Sequence, residues 1–497
     1  MPSLKALLAK VYAARAYKKI IKWSSNPIET QNRVFKSLIS KAAATKFGAD
    51  HDFVNINSHE DFIKRVPVRD YEALKPYVDK VVAGESDVLW KGKPLYFAKT
   101  SGTTSGAKYI PITKESMPSH IEAAKNAILL YIHETGNIQI IDRKMIFLQG
   151  SPVLESKNGI QLGRLSGIVA HYVPKYLQKN RLPSWETNCI EDWETKVNKI
   201  VQETLSEDMS IIAGIPSWVQ MYFEKLVDQK GQKVGEVFKN LNLFIFGGVN
   251  YEPYRSKFET LIGRKVNSIE LYPASEGFFA FQDRQNQAGM LLQLNSGIFY
   301  EFIVADTFFD ASPQRLSLKD VEIGINYVII ISTSAGLWAY NIGDTVQFKS
   351  LAPYRVIVSG RIKHFISAFG EHVIAKEVEH ALMMALKETG ISVSEFTVAP
   401  QTSPLSGLPY HEWFIEFELP PSDINAFASK IDTAMQQQNS YYKDLVEGKV
   451  LQTLVIFPVP KSGFQNYMKG IGKLGGQNKI PRLSNDRKIA DALTNLI

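Results

Sequence analysis

The 497-residue sequence contains a single cysteine, Cys189, and so lacks the residues for several kinds of site. One cysteine excludes an intramolecular disulfide framework and a cysteine-based metal cluster. It fits a reducing cytoplasm, which is the location that we expect for this protein. No apolar run is long enough to cross a membrane, so we expect no membrane span.

The N-terminal stretch lacks the features of a signal peptide. Lys5, Lys10 and Arg15 interrupt its apolar residues, and no small-residue cleavage site follows them. The apolar residues recur at helical spacing, which predicts an amphipathic helix. Docking on its own domain is the simpler interpretation of such a helix, and contact with a membrane surface is the alternative.

Charge of either sign is not concentrated anywhere in the sequence. The 57 Lys and Arg residues exceed the 50 Asp and Glu residues to give a net charge of +7. Acidic residues are interspersed throughout, and no basic run alternates with aromatic residues as a nucleic-acid groove requires. We therefore expect no nucleic-acid partner, whereas small anionic substrates fit the mildly basic balance.

The order of the predicted elements indicates two domains of different type. In the central part of the chain, short apolar runs end in polar turns and lead into helical patterns, as in "MSIIAGIPSWVQMYFEKL", where Ser217 is a candidate helix cap. This alternation predicts the α/β class. Paired strands and two amphipathic helices after Gly360 predict a compact α+β domain. We expect a large N-terminal domain of β-sheets with flanking helices, residues 1–359, and a small, mobile C-terminal α+β domain, residues 360–497.

Two segments of the smaller domain have clear periodicity. In "AKEVEHALMMALKETG" the apolar residues share one helical face, and Gly390 is a stop signal. In "HEWFIEFEL" they alternate, which predicts a strand buried on one face. The alternating residues are Trp413, Ile415, Phe417 and Leu419.

The stretch "AKTSGTTSGAKYIPIT", residues 98–113, combines hydroxyls, glycines and one lysine between apolar flanks. Glycines let backbone N–H groups converge on an anion, and Ser, Thr and Lys108 supply further donors. The spacing is not that of a Walker loop, because Lys108 does not directly follow the second glycine. A phosphate-binding loop and an ordinary polar hairpin turn are both compatible with this composition.

Three further turns carry residues that suit nucleotide binding. Gly247 and Gly248 in "FGGVN" could let a flat ring approach the backbone. In "LYPASEGFF", Tyr272 suits stacking and the Glu276 carboxylate suits Mg²⁺. In "GLWAYNIGDTVQF", Asp344 follows a glycine at the end of a long apolar strand and could accept hydrogen bonds from ribose. Taken singly, each of these features is more often an ordinary turn, a packed ring or a solvated charge.

In their order along the chain, these segments resemble the adenylate-forming superfamily of acyl-CoA synthetases, peptide-synthetase adenylation domains and beetle luciferases. Within it, "TSGTTSGAKYIPIT", "YEFI" at residues 300–303 and "AGLWAYNIGD" most resemble the Gretchen Hagen family. These are the auxin-responsive acyl acid amido synthetases of plants, and the chain looks like a bacterial-type member. The resemblance covers most of the chain and implies ATP and Mg²⁺ as cofactors.

The resemblance also implies roles for individual residues. Tyr272 would flank the adenine beside Gly247 and Gly248, with Ser275 adjoining the nucleotide, and Glu276 would ligate Mg²⁺. Asp344 would hold the ribose with help from Arg361. The ATP phosphates would be bound by Ser101, Gly102, Thr103, Thr104, Ser105, Gly106 and Lys108.

In the superfamily the C-terminal domain rotates between two half-reactions. Lys363 matches the hinge position of this motion. A lysine near the C-terminus enters the site during adenylation, and Lys479 in "NKIPR" matches it best, with Lys473 as a competitor.

These parts predict an AMP-forming ligase. A small carboxylic acid would attack the α-phosphorus of ATP and release pyrophosphate, and an amine such as an amino acid would then take the acyl group from acyl-AMP. An acyl-CoA ligase would use the same first step. A nucleotide-binding or membrane-associated scaffold without turnover is the alternative of another class. No motif in the sequence marks the pocket for the acid.

Overall fold

The computed structural model describes most of the chain, with the exception of short segments. The described residues are 3–101, 107–173, 178–190, 192–248, 251–362, 365–366, 373–402, 404–447, 450–475, 478–484 and 486–497. Contacts divide the chain into two compact units, the first formed by Met1–Val249 with Lys265–Val358 and the second by Asn250–Arg264 with Ser359–Ile497. Among the helices of the described ranges, none is long and apolar enough to cross a membrane.

The first unit contains a series of helices, the first of which lies close to the N-terminus. Ser3 caps the first helix by accepting a hydrogen bond from the N–H of Ala6, and this helix packs on the sixth one. The helices are α1 Leu4–Ser24, α2 Pro27–Ala42, α3 Lys46–Asp50, α4 His59–Arg65, α5 Tyr71–Val82, α6 Met117–Thr135, α7 Leu165–Ala170, α8 Trp185–Asn188, α9 Trp193–Thr204, α10 Pro216–Lys230 and α11 Val234–Val237.

The predicted cap of α10 is wrong. The helix begins at Pro216, and Ile215 stands at the cap position, so Ser217 lies within the first turn. Proline is favoured at the first helical position because its fixed φ suits a helix and its missing N–H would have no intrahelical partner there. The proline, rather than the serine, therefore sets this boundary.

Two sheets form the rest of the first unit. A four-stranded sheet has the order β2-β1-β5-β4, and an eleven-stranded sheet has the order β12-β13-β14-β15-β11-β10-β9-β8-β7-β3-β6. The strands are β1 Tyr96–Ser101, β2 Ala107–Ile112, β3 Lys144–Phe147, β4 Glu155–Lys157, β5 Ile160–Gly163, β6 Arg181–Leu182, β7 Met209–Ala213, β8 Leu243–Gly247, β9 Asn267–Ala274, β10 Gly277–Phe281, β11 Met290–Leu292, β12 Ile298–Val304, β13 Asn326–Thr333, β14 Tyr340–Leu351 and β15 Tyr354–Arg361.

The strand pairing of the large sheet changes from parallel to antiparallel at β9. Strands β9, β8, β7, β3 and β6 pair in parallel with one another. The pairs β9–β10, β10–β11 and β11–β15 are antiparallel. Strands β7 and β8 are short, mostly apolar runs that are buried along most of their length, as expected for strands covered on both faces. Their carboxyl ends meet at one edge of the sheet, where ligands of α/β proteins commonly bind.

The second unit contains a three-stranded sheet with helices on both faces. Its sheet has the order β18-β19-β20, and a two-stranded sheet pairs β16 with β17. The elements are α12 Glu252–Ile262, β16 Phe365–Ile366, β17 Val373–Ile374, α13 Ala375–Thr389, β18 Val393–Gln401, β19 Tyr410–Phe417, α14 Ile424–Gln438, α15 Ser440–Glu447, β20 Val455–Pro458, α16 Gly463–Gly470 and α17 Lys488–Thr494. The prediction of a large mixed α/β part and a small α+β part is confirmed.

The division between the units falls inside β15, and α12 groups with the second unit. No sequence pattern indicated this grouping, because α12 lies between two strands of the large sheet along the chain. The expected domain ranges, 1–359 and 360–497, stay a prediction.

Strand β19 is buried on both faces, so the predicted one-sided burial is wrong. Trp413 and Ile415 face one hydrophobic cluster, while Phe414 belongs to a second cluster with residues of α16 and α17. Glu416 is also buried and accepts hydrogen bonds from the N–H groups of Ser462 and Phe464. The polar residue at position 416 therefore marks a buried carboxylate with hydrogen-bond partners rather than a solvent face. Leu419 lies beyond the strand and is exposed.

Candidate functional site

The hydroxyl-rich stretch is flanked by an antiparallel hairpin. Strands β1 and β2 pair from Tyr96 with Ile112 to Ser101 with Ala107. Gly102, Thr103, Thr104, Ser105 and Gly106 lie outside the described residues, as does the side chain of Ser101. The flanks thus form a hairpin, and a phosphate-binding role for the residues that they connect stays a prediction.

Lys108 stands beside this hairpin end, on β2 opposite Thr100. Its Nζ lies 5.4 Å from the centre of the Tyr71 ring, within the range of a cation–π contact. The Tyr71 hydroxyl accepts the N–H of Tyr109 at 2.9 Å, which fixes the ring at the start of α5. Burial raises the pKa of Tyr71, so the ring stays neutral and can stabilise the lysine. The ammonium is therefore held next to the stretch expected to bind phosphate.

Gly247 and Gly248 end β8, and each is required by the backbone. A Cβ at position 247 would lie 2.5 Å from the carbonyl oxygen of Leu271 on β9. Gly248 has a φ of 77°, in the left-handed region that favours glycine. Packing against β9 accounts for Gly247 and the left-handed backbone accounts for Gly248, and a nucleotide-binding role for them stays a prediction.

Ser275 and Glu276 form the two-residue turn between β9 and β10, since Ala274 pairs with Gly277. Ser275 is buried and Glu276 is half-buried. Because β8 and β9 are parallel, Gly248 and Glu276 follow strands that end at the same sheet edge. The structure therefore brings these sequence-predicted residues to one side of the first unit.

A magnesium ion would find one protein carboxylate at this turn. Among the described residues, no group of three or more His, Cys, Asp or Glu side chains could hold a metal ion. Mg²⁺ bound with a nucleotide takes most of its oxygens from phosphates and water and needs one or two carboxylates. The half-buried Glu276 fits that donor set.

Tyr272 and Asp344 contact each other directly. The Tyr272 hydroxyl donates to Oδ2 of Asp344 at 2.7 Å, and the Tyr272 ring packs edge-on against Phe279 at 5.0 Å. Their strands, β9 and β14, lie four places apart in the sheet order, about 19 Å along a flat sheet. The sheet must therefore curve back on itself. The residues expected at adenine and ribose become neighbours only through this curvature.

Asp344 lies at an irregularity inside β14 and not at a strand end, so that detail of the prediction is wrong. The pairing with β13 steps from Asn341 opposite Ile330 to Thr345 opposite Val328. Gly343 has a φ of 87° and donates its N–H to the Asn341 side chain at 2.8 Å. Such bulges redirect side chains and often adjoin functional sites. The glycine permits the bulge that presents Asp344.

The remaining expected contacts of the nucleotide lie in the second unit or outside the described residues. Arg361 ends β15 and is exposed. Lys363 lies outside the described part of the chain, so its hinge role stays a prediction.

Lys479 is exposed and sits three residues before a buried arginine. The backbone of this segment is tied to β18, because the Val398 N–H donates to the Arg482 carbonyl and Thr397 Oγ1 donates to the Pro481 carbonyl. Arg482 itself pairs with Glu379 and Glu395, and it donates to the Tyr254 hydroxyl at 2.9 Å. Lys473, the competitor, is also exposed. The residues that follow Lys479 are therefore anchored to β18 by hydrogen bonds.

Side chains of the "YEFI" motif, residues 300–303, are part of the buried interior of the first unit. Glu301 on β12 is fully buried and receives two hydrogen bonds from Arg315, at 2.9 and 2.7 Å, and one from His59 at 2.7 Å. Burial would raise the pKa of Glu301, but these cationic and hydrogen-bonding partners hold the pKa below its ordinary value. Tyr300 is buried as well and donates to the Gln293 carbonyl.

His120, which no sequence pattern singled out, lies on α6, the helix that follows the β1–β2 hairpin. Its side chain is 4% exposed, and Nδ1 has no hydrogen-bond partner among the described residues. Burial lowers the pKa of His120 to about 4, so the imidazole is neutral at pH 7. A lone histidine in a helical pattern carried no signal of this burial.

We expect His120 to make stability depend on pH. The unfolded chain protonates this residue near pH 6.5 and the folded chain near pH 4, so the unfolded state binds more protons between these values. Stability should fall by about 3 kcal/mol as pH drops through this window. Urea unfolding at several pH values, compared between the native chain and His120→Gln, measures the difference. A variant with the same pH dependence as the native chain would contradict the assignment.

Known proteins match this chain along most of its length. It is 22% identical to an indole-3-acetic acid-amido synthetase, GH3.4 of Arabidopsis thaliana, over 94% of this chain and 91% of that protein. It is 29% identical to GH3.15 of the same plant over 77% of each chain. A jasmonoyl–L-amino acid synthetase, JAR4 of Nicotiana attenuata, matches at 21% identity over 57% of this chain and 60% of that protein.

Solved structures share the fold. The structure of AtGH3.15 acyl acid amido synthetase in complex with 2,4-DB superposes with a TM-score of 0.79 at 16% identity, covering 100% of this chain and 97% of that one. A 2-hydroxyisobutyryl-CoA ligase in its postadenylation state superposes with a TM-score of 0.57 at 14% identity, covering 100% and 92%. The fold is therefore related to that of adenylate-forming ligases.

Three family models match successive parts of the chain. They are the GH3 family N-terminal domain over residues 16–188, the central domain over 291–361 and the C-terminal domain over 376–488. Because these matches together span well over half of the 497 residues, the chain belongs to the GH3, or Gretchen Hagen, family.

Proposed function

We propose that this GH3 family member is an ATP-dependent ligase that joins a small carboxylic acid to an amine, most simply an amino acid, and forms AMP. The observation that carries the proposal is the 2.7 Å contact between Tyr272 and Asp344, because it unites the two residues expected at the nucleoside. Membership of the family and the names of its plant relatives support the acid–amino acid chemistry.

The first half-reaction activates the acid. A carboxylate oxygen of the acid attacks the α-phosphorus of ATP, the bond to the bridging oxygen breaks, and pyrophosphate leaves with that electron pair. The product is a mixed anhydride, acyl-AMP, whose carbonyl carbon has AMP as a good leaving group. Free carboxylate lacks such a leaving group, which is why activation precedes amide formation.

The side chains of the first unit position the nucleotide and stabilise charge. Asp344 accepts hydrogen bonds from ribose, with Tyr272 fixing the orientation of its carboxylate, and Gly247 and Gly248 border the adenine. Lys108 and the loop donors Ser101 to Gly106 bind the phosphates on which negative charge develops. Positioning and charge stabilisation supply the rate acceleration in such phosphorus chemistry, and no covalent enzyme nucleophile is required.

Glu276 would hold Mg²⁺ at the turn between β9 and β10. A bound divalent cation supplies positive charge that neutralises the phosphate oxygens. The role of the protein here is to place one half-buried carboxylate at the edge of the sheet.

In the second half-reaction the amine nitrogen attacks the acyl carbonyl, the C–O bond to AMP breaks, and the ammonium proton passes to solvent. We propose that the second unit is the mobile C-terminal domain, with Lys363 at its hinge, and that Lys479 serves adenylation only. We further propose that the protein is cytoplasmic, where ATP and amino acids are present, and that it is a bacterial-type member. The low identity to plant relatives, 19 to 29%, supports the last point.

The assay that tests the proposal measures ATP-dependent pyrophosphate release with a panel of carboxylic acids. Each acid is run with hydroxylamine, with mixed amino acids and with CoA. Release that needs an acid, gives a hydroxamate and accelerates with amino acids is the expected result. Acceleration by CoA alone would make the protein an acyl-CoA ligase, and ATP binding without release with any acid would make it a scaffold.

We expect Lys479→Ala to slow adenylation by about 10² while leaving transfer from preformed acyl-AMP nearly unchanged. The lysine is exposed on a segment anchored by Arg482, so its removal should not disturb packing. Single-turnover assays of the two half-reactions measure the effect, with Lys473→Ala as the matched control. A larger loss for the control would transfer the role to Lys473, and equal slowing of both half-reactions would contradict a role in adenylation alone.

A further inference from the structure

Helix α1 has two faces with different surroundings. Ala6, Ala13 and Ile20 repeat every seven residues, are buried, and face the interior of the first unit. The opposite face is exposed along its whole length. This α1 outer face consists of Leu4, Leu7, Leu8, Val11, Arg15, Lys18, Lys19 and Lys22.

The first two turns of the α1 outer face are apolar. Leu4 is 74% exposed, Leu7 and Leu8 are each 49% exposed, and Val11 is 50% exposed. Their spacing of i, i+3, i+4 and i+7 places them side by side on one stripe. Single exposed apolar side chains are ordinary, but a contiguous exposed stripe of four indicates an interaction surface.

The remaining turns of the same face are basic. Arg15, Lys18, Lys19 and Lys22 continue the stripe at the same helical spacing, and residues 4–24 contain no Asp or Glu. Glu122 on α6 lies 3.8 Å from Lys19, with both side chains mostly exposed, and Asp142 accepts hydrogen bonds from Ser3 at the start of the helix. Within the described residues, Arg15, Lys18 and Lys22 form no ion pair. Apart from Lys19, the basic half of the face therefore carries positive charge that no ion pair within the described residues compensates.

A partner for this face must present apolar groups next to negative charge. It must do so along a helix of 21 residues, which is about 30 Å long. A small soluble anion is too short to cover it. A second copy of the chain related by two-fold symmetry would set cations against cations or against leucines. An anionic lipid surface meets both requirements, because acyl chains lie directly beneath charged headgroups.

We propose that the α1 outer face binds an anionic membrane surface. Leu4, Leu7, Leu8 and Val11 enter the boundary between headgroups and acyl chains, and the four cations contact the headgroups. The protein is then a peripheral membrane protein, held by one helix that docks on its own unit through the opposite face. This binding is independent of the proposed ligase reaction.

Co-sedimentation of the full chain with vesicles tests the proposal. The vesicles are phosphatidylcholine alone or phosphatidylcholine mixed with phosphatidylglycerol. Leu7→Ser with Val11→Ser should weaken binding to the mixed vesicles about tenfold or more. Arg15→Glu with Lys18→Glu should weaken it about fivefold or more per residue, and added salt should weaken it further. The matched controls outside α1 are Val54→Ser, at a position that is 77% exposed, and Lys91→Glu with Lys93→Glu.

Binding to mixed vesicles that the controls retain and the α1 variants lose supports the proposal. No binding of the native chain to mixed vesicles, equal binding to both vesicle types, or equal binding by α1 and control variants overturns it. Light scattering provides an independent measurement of the oligomeric state. If the native chain is an oligomer and the Leu7→Ser, Val11→Ser variant is a monomer, the face binds a second copy of the chain and the lipid proposal is overturned.

Discussion

Replacing Glu276 with alanine should reduce pyrophosphate release by about 10² or more while leaving the fold intact. The expected size is that of losing a group that stabilises the charge of a transition state. Glu276 is half-buried in a two-residue turn, so the free energy of unfolding should change by about 1 kcal/mol or less. Activity over a range of Mg²⁺ concentrations separates the two effects, because a weakened metal site requires more Mg²⁺ for half-maximal rate.

The matched control for this substitution is Glu322→Ala. Glu322 is an exposed glutamate of the same unit, in the segment that precedes β13. Glu276→Asp keeps the charge with a shorter side chain and should retain part of the activity. Full activity of Glu276→Ala, with an unchanged Mg²⁺ dependence, would contradict the metal-binding role.

Replacing Arg482 with alanine should destabilise the second unit by about 3–5 kcal/mol, the typical cost of removing one partner of a buried ion pair. The guanidinium pairs with Glu379 and Glu395 and donates to the Tyr254 hydroxyl, and the Arg482 side chain is almost completely buried. Without it, two mostly buried carboxylates lose their compensating charge. Urea unfolding of the full chain, monitored by amide hydrogen exchange in residues 373–484, measures the loss for this unit alone.

Lys430→Ala is the matched control within the second unit. Lys430 pairs with Glu388 at 2.7 Å, but both side chains are about half exposed, so this pair should contribute about 1 kcal/mol or less. Equal destabilisation by the two substitutions would show that the Arg482 cluster is not a buried ion-pair network. Because Arg482 anchors the segment that carries Lys479, Arg482→Ala should also slow adenylation at temperatures where the unit is folded.

Local patterns predicted several elements correctly. The helical face of Val378, Leu382 and Leu386 is buried as expected, and Gly390 ends that helix in the left-handed region with a φ of 69°. The two-residue turn that contains Glu276 directly follows strand β9, as the sequence predicted. These features depend on residues that are close in sequence, where spacing, turn residues and backbone conformation act together.

Long-range packing decided what local patterns could not predict. The polar residues of β19 suggested a solvent face, but backbone N–H groups of Ser462 and Phe464 satisfy Glu416 inside the unit. Helix α12 joins the second unit through Tyr254, whose hydroxyl contacts Arg482 more than 200 residues later. No periodicity near Tyr254 could signal a partner so distant along the chain.

The sequence by itself determined the family, and it predicted the class of chemistry and the residues of the candidate site, because motifs such as "TSGTTSGAKYIPIT" and "YNIGD" are local strings of glycines, hydroxyls and charges. Only the tertiary structure decided that Tyr272 and Asp344 touch, since the curvature of an eleven-stranded sheet brings together strands four places apart. It alone also decided which face of α1 is left exposed. Helical spacing defines the faces of a helix, but the packing of the rest of the unit selects the one that is covered.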